Sequence, residues 1–407
     1  MGFWELLTVA LQPPLQVLLI AVVGGFLATD YCGIFPSDAR RSLNKLVFYL
    51  FTPALIFGNL AQTITFKDII TWWFMPVNIG ITFFFGTLLG WAVIKITKPD
   101  PHLKGLVTAV CSAGNLGNLM IVIVPAVCDE SDGPFGNPIT CRPLATSYAS
   151  FSMAIGGFYI WTHTYNLIKN DRVILDRNTN SGEEDVMEEG SRSKRLANAD
   201  SDTDFKGTTL LLTGGSEATT NIFIKISRAI VRLQLWKKMS ELLSPATISA
   251  VIGLIVGSIP WLKSQIIGQK SSLVVIEDSI SLLGQATIPC ITLILGGNLL
   301  KGMRKSNLSG QPSVIVAVVM VKFIMLPIIG ILVIKGASYL GVLPDDPLFK
   351  YTLLLQFAIP PAMNIGTITE FFKVGQEECS ILFFWTYLVS AIALALWSIV
   401  FMWILTQ

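Results

Sequence analysis

No Asp or Glu stands in the interior of any long apolar run of this chain. A sodium/proton antiporter needs carboxylates in the membrane core, and ionisable groups placed there are costly and kept for function. Coupling through acidic ligands is therefore not expected, which leaves a uniporter or a carrier drawing on an anion's own gradient. Metal chemistry is as poorly supplied: two His and six Cys, without one Cys-x-x-Cys pair, give no ligand framework and imply no cofactor. No nucleophile–base pair of the kind a hydrolase or transferase requires is present, so an enzyme is not expected either. Charged residues make up only 14% of the chain, the net charge is +2, and the basic side chains sit in loops. Nucleic acid would find no patch to bind.

What the chain has instead is apolar length. Of its 407 residues 52% are hydrophobic, with a mean hydropathy of +0.63, the composition of a polytopic membrane protein. Charge-free runs of about 20 residues, enough to cross a bilayer, fall at Leu6–Thr29, Leu46–Phe66, Ile69–Ile94, Gly105–Cys128 and Leu144–Ile168. Five more follow at Leu242–Leu262, Ser279–Leu300, Gln311–Ile334 broken by the one Lys322, Tyr351–Thr369 and Cys379–Gln407. The first run lacks the basic start and short core of a signal peptide and reads as a retained helix. The pattern predicts an all-α polytopic membrane protein of ten transmembrane helices in two five-helix repeats, residues 1–168 and 242–407. An odd number of crossings per repeat makes the second copy enter from the opposite side, so the repeats are inverted.

Residues 169–241 between them are rich in Asn, Ser, Thr, Gly and mixed charge. Such a composition buries too little apolar area to order itself, and most of the segment is expected to be disordered. Within it, Ile222–Met239 carries Ile222, Ile226, Ile230 and Leu233 at helical spacing among Lys and Arg, the pattern of a helix lying on the membrane surface.

Two helix breakers stand inside apolar runs, in the fourth run at Gly114-Asn115 and in the ninth at Pro360-Pro361. Proline removes an amide donor and clashes with the preceding turn, while Gly and Asn tolerate unwound backbone. Around them Asp100, Pro101, Lys104 and Asn118 stand at one constant offset from Asp346, Pro347, Lys350 and Asn364. Opened backbone at bilayer depth survives only where it faces protein or a watery cavity. In transporters built of inverted repeats, broken helices meet near the midplane and hold the substrate there.

Candidate binding residues follow from that geometry. Asn118 and Asn364 put an amide at the start of a half-helix whose positive dipole end suits an anion, and either side chain is equally suited to capping its own helix. Asn115, Pro360 and Pro361 shape the breaks. Asn59 and Asn298 each sit in the middle of a Gly-Asn-Leu and follow Pro53 and Pro289, helix-end polarity being the alternative reading of the pair; Asn78 in the third run is placed to line a cavity. Lys322 interrupts the eighth run, positioned to attract an anion or to pair with Glu277 or Asp278. Cys128 and Cys141 bracket the loop Asp129–Pro138, and their bridging depends on that loop facing an oxidising lumen.

Lys and Arg favour one side: Arg40, Arg41, Lys45, Lys95, Lys98, Lys104, Lys301, Arg304 and Lys305 fall with the long loop when the N-terminus is lumenal or extracellular. The positive-inside rule then puts the long loop in the cytosol and both termini across the membrane, hiding the sequon at Asn307.

Pro53-Ala-Leu-Ile-Phe-Gly-Asn59, Trp73-Phe-Met-Pro-Val-Asn78, Ala113-Gly-Asn-Leu-Gly-Asn118, Pro125-Ala-Val-Cys128, Pro134-Phe-Gly-Asn137 and Tyr159-Ile-Trp161 resemble the plant PIN-LIKES family of the auxin efflux carrier group. The resemblance runs over nearly the whole chain outside the central segment. It implies a ten-helix inverted-repeat fold with crossover helices four and nine, residence in the endoplasmic reticulum membrane, and transport of indole-3-acetate between cytosol and lumen. It further implies a carboxylate held near Asn115–Asn118 and Pro360–Asn364. A carrier of another organic anion, and a non-transporting receptor signalling through the cytosolic loop, are the alternatives; a homodimer is left open.

Overall fold

The computed structural model describes residues 3–63, 65–129, 135–177, 245–267, 273–305 and 312–406. The segment 178–244, with the surface helix expected at Ile222–Met239, and the sequon at Asn307 lie outside them. All regular elements among the described residues are helical. In chain order they are α1 (Phe3–Leu27), α2 (Ser37–Leu46), α3 (Thr52–Thr63), α4 (Phe66–Thr71), α5 (Phe74–Thr97), α6 (Lys104–Ser112), α7 (Asn118–Ala126) and α8 (Pro138–Tyr159). After the central segment come α9 (Pro245–Ser258), α10 (Pro260–Ile266), α11 (Val274–Gln285), α12 (Thr287–Lys305), α13 (Pro312–Met320), α14 (Leu326–Tyr339), α15 (Pro347–Leu355), α16 (Asn364–Phe372) and α17 (Gln376–Thr406).

Four continuous helical stretches are long and apolar enough to cross a bilayer: Ser37–Gln62, Phe74–Thr97, Val274–Leu300 and Pro312–Tyr339. Up to six qualify if the bent pairs Ile248–Ser258 with Pro260–Ile266, and Gln376–Ser390 with Ile392–Leu405, each count as one. The chain is thus an all-α polytopic membrane protein, and its fourth, sixth and ninth apolar runs are interrupted where the sequence places Gly114-Asn115, Pro260 and Pro360-Pro361. Pro260 explains the 106° bend between α9 and α10, since its ring cannot sit in the preceding turn. Turns widened by one residue at Val47–Phe51, Ile160–Thr164 and Val321–Met325 join α2 to α3, extend α8, and join α13 to α14.

Several helices begin earlier than charge alone suggests. The second crossing starts at Ser37, not Leu46, because Arg40 and Asn44 turn inward and are buried rather than left in a loop. The seventh starts at Val274, which takes Glu277 and Asp278 into the helix. Asn137 caps α8 by accepting from the Ile139 amide, and Asp346 caps α15 by accepting from Leu348 and Phe349, each followed by Pro at the first helical position.

The packing has an inside and a lipid side. Large apolar residues such as Leu19, Val22, Phe84, Trp91, Val316, Leu332 and Ile392 are exposed on the outer helices, as expected where lipid tails are the solvent. α6 is buried over its whole length from Gly105 to Ser112, and α15 buries Leu348, Phe349 and Tyr351–Leu355. These two half-helices form the centre of the protein. α1 packs against α12 and α17, and a Cβ on Gly296 would overlap the backbone of Ala21. Such close crossings through small residues are how helices associate in lipid, where no hydrophobic force drives them together.

Candidate functional site

The two breaks face each other. α6 ends at Ser112 and α7 begins at Asn118; α15 ends at Leu355 and α16 begins at Asn364. Between them the unwound segments pair antiparallel through an isolated bridge at Gly114 and Pro361. The Asn115 amide donates to the Pro360 carbonyl at 2.8 Å, and the Ala362 amide donates to the Ala113 carbonyl at 3.1 Å. Backbone groups freed by broken helices must find partners at this depth. Here each segment satisfies the other. Gly114 allows the approach, for a Cβ there would stand 2.8 Å from Ile359 Cγ1.

Side chains lock the junction. Asn115 Nδ2 donates to the Tyr387 hydroxyl of α17 at 2.8 Å, and that hydroxyl donates to the Pro361 carbonyl at 3.0 Å. On the other flank Asn78 Nδ2 donates to the Leu353 carbonyl at 3.1 Å and to Gln356 Oε1 at 2.8 Å. Gln356 Nε2 in turn donates to Ser152 Oγ at 2.8 Å. Asn78 thus holds the end of α15 at the break before α16.

Beside the junction lies a cavity of about 50 Å³. Asn115, Leu116, Gly117, Ala362, Met363 and Asn364 from the breaks border it, closed over by residues of α3, α8 and α12. α7 and α16 begin at this space, with Gly117 and Asn364 among its lining, so their positive dipole ends favour an anion there. The Asn364 side chain meets no hydrogen-bond partner among the described residues. Asn118 is the first residue of α7, and its side chain lies outside the described set.

The remaining predicted residues are placed elsewhere. Asn59 stands behind the cavity wall, its Nδ2 3.7 Å from Met153 Sδ. Asn298 Oδ1 accepts from Arg40 Nε at 3.0 Å, and Asn298 Nδ2 donates to Glu370 Oε2 at 3.1 Å. Arg40, Asn298 and Glu370 are all buried, joining α2, α12 and α16, with Glu370 in electrostatic reach of Arg40. Lys322 is 1% exposed in the widened turn between α13 and α14, with Cys111 of α6 in electrostatic reach. The pairing expected of it with Glu277 or Asp278 is not formed; Glu277 accepts instead from Gln62 at 2.9 Å. The helix carrying those carboxylates packs on α3, away from α13.

Two further anchors stand at opposite ends of the crossover helices. Asp171, beyond the fifth apolar run, accepts from the amides of Gly105 and Leu106 at 2.9 and 2.8 Å, fixing the start of α6. Burial pushes its carboxyl up to about 7, against the downward pull of those amides and of Lys104. At the other end the Tyr148 hydroxyl donates to Asp346 Oδ2 at 2.6 Å, and a disulfide joins Cys128 to Cys141. Tyr387, Gln356, Arg40 and Asp171 carry no local sequence signal; each matters through a partner remote in the chain.

Residues 9–398 match a family described as membrane transport protein. Protein PIN-LIKES 7 of Arabidopsis thaliana is 49% identical over 414 aligned residues, and Protein PIN-LIKES 5 of the same plant is 50% identical, each match covering 100% of both chains. A fainter likeness, 23% identical over 95% of this chain and 93% of the other, is to an uncharacterized transporter of Schizosaccharomyces pombe.

Proposed function

Because the chain belongs to the membrane transport protein family, and within it to the PIN-LIKES proteins, we propose that this transporter carries indole-3-acetate and related aromatic monocarboxylates across the endoplasmic reticulum membrane. The observation that carries the reading is the junction of the two broken helices beside a cavity of mostly apolar lining into which Thr52, Asn115, Thr287 and Asn364 bring polar side chains. It offers a carboxylate the side-chain amide of Asn364 and the positive ends of α7 and α16, with Leu55, Ile56, Ile288 and Ile291 as apolar walls for a ring.

The proposed build is two inverted five-helix repeats, residues 1–168 and 242–407, working by alternating access. A cavity of about 50 Å³ is far below the roughly 300 Å³ and more of sites that enclose organic ligands, so the arrangement described is a closed one. Loading requires the crossover helices to part from α3 and α12. The Arg40–Asn298–Glu370 cluster ties α2 and α12 to α16 and is placed to hold them closed on one side.

Sidedness is supported by contacts of the proposed topology. The disulfide Cys128–Cys141 belongs on an oxidising, lumenal face. Asp171 at the root of the long segment and the first turn of α6 then share the cytosolic face, with both termini lumenal.

Radiolabelled indole-3-acetate uptake into proteoliposomes tests the proposal. Flux above empty vesicles is expected, and Asn364→Ala should lower it several-fold at unchanged thermal stability, since its side chain makes no hydrogen bond among the described residues. Binding without flux would point to a receptor, and flux of other organic anions alone would reassign the cargo.

A further inference from the structure

Threonines inside membrane helices normally satisfy their hydroxyls by bonding back to the carbonyl four residues earlier. Thr82, Thr108, Thr292, Thr352 and Thr386 of this chain all do so. Among the described residues four buried threonines do not, Thr52, Thr164, Thr287 and Thr367, and two of them border the crossover cavity, Thr52 and Thr287. They are 1% and 2% exposed, and neither hydroxyl meets a partner among the described residues. Both line the cavity at the crossover junction, together with Asn115 and Asn364.

Local structure explains why each hydroxyl is left over. Thr52 follows the widened turn Val47–Phe51, which shifts the carbonyl register by one residue just where the threonine would look back. Thr287 follows the one-residue break at Ala286 between α11 and α12, where the Ala286 amide already occupies the Leu283 carbonyl at 3.3 Å. Each threonine is followed within two residues by a proline, Pro53 or Pro289, so the irregularity recurs in both halves of the chain. A buried hydroxyl without a partner is a standing cost to the fold. One such group is an accident of packing; two, one from each half and both on one cavity, form a pair of donors awaiting an acceptor.

We propose that Thr52 and Thr287 are the specificity-determining donors of the transport site, giving two O–H bonds to the acceptor oxygens of a carboxylate cargo. Asn115 is engaged with Tyr387, so the hydroxyls and the Asn364 amide are the side chains left to read the anion. The identity of the cargo rests on the carrier reading above, whereas the unpaired state of the hydroxyls does not.

Thr52→Val and Thr287→Val keep shape and remove the hydroxyl; Thr→Ser at either position keeps the hydroxyl and serves as the rescue. Thermal midpoints of the purified protein are measured without ligand and with indole-3-acetate, and uptake kinetics in proteoliposomes. Without ligand, each Val variant is expected to be as stable as wild type or more so, because an unsatisfied group has gone. With ligand, each is expected to raise KM about tenfold, the worth of one hydrogen bond to a charged group, with the Ser variants near wild type. A Val variant that lowers the ligand-free midpoint, or that leaves KM unchanged while wild type transports, overturns the proposal. If wild type neither binds nor moves indole-3-acetate, the cargo reading fails, and the ligand-free midpoints still decide the hydroxyls: a rise upon Val substitution upholds their unpaired role and a fall rejects it.

Discussion

Replacing Tyr387 by Phe removes a single oxygen atom from the junction of the broken helices, and the consequence can be worked out from its partners. That hydroxyl accepts from Asn115 Nδ2 and donates to the Pro361 carbonyl, so it ties both breaks to α17. Phe fills the same space and adds no cavity term. What remains is a buried amide donor and a buried carbonyl without partners, each worth about 1–3 kcal/mol when orphaned. Allowing for partial relaxation, the loss is about 2–4 kcal/mol, well above the ~1 kcal/mol of a typical hydrogen bond. The assay is thermal unfolding of the detergent-solubilised protein, alongside uptake in proteoliposomes. Tyr159→Phe is the control, because its hydroxyl makes only a long 3.4 Å contact with the Pro76 carbonyl. A midpoint several degrees below wild type and reduced uptake are expected for Tyr387→Phe, against little change in the control. Equal behaviour of the two variants would refute the claim that Tyr387 holds the crossover together.

Two further outcomes follow from the buried charges. Glu370→Ala strands Arg40 and Asn298 without their carboxylate and should cost about 3–5 kcal/mol, whereas the double change Arg40→Leu with Glu370→Leu should cost much less than the two single changes together. A double-mutant cycle in thermal stability reads this, and strictly additive losses would show the cluster to be uncoupled. Asp171 gives a pH dependence with a definite sign. Its carboxyl goes from an ordinary 3.8 to about 7 in the folded protein, so between those values the folded state holds the proton more tightly than the unfolded chain. Its contribution to stability therefore falls as pH rises from about 4 to about 7 and is level above that. The difference in melting temperature between wild type and Asp171→Asn, followed from pH 4 to 8 on this basis, should slope over that window; a flat difference would mean that the carboxylate stays ionised throughout.

Much of the membrane architecture is readable from composition and periodicity, because the bilayer sets a length and a polarity that every crossing must meet. The helix ends are less readable. Arg40 and Asn44 look like loop residues by charge, yet they are buried in α2 because the other half of the chain supplies Asn298 for one and the Thr367 carbonyl for the other. Lys322 reads as an intramembrane cation wanting a carboxylate, but it packs near Cys111 while Glu277 turns to Gln62. Asn78 and Asn298, both polar residues in apolar runs, donate to the side chains of Gln356 and Glu370.

By itself the amino-acid sequence determined the apolar crossings, the family and the two places where the helix must open, since Pro-Pro and Gly-Asn act on their own backbone and need no neighbour to do it. Only the tertiary structure decided that the openings pair, that Tyr387 clamps them, and that Thr52 and Thr287, left with unpartnered hydroxyls, border one cavity. Asn115 and Tyr387 are 272 residues apart, and Arg40 and Asn298 are 258 apart. Contacts at such separations leave no periodic trace along the chain; they exist only once lipid, helix packing and the need to satisfy every buried amide have brought the two halves together.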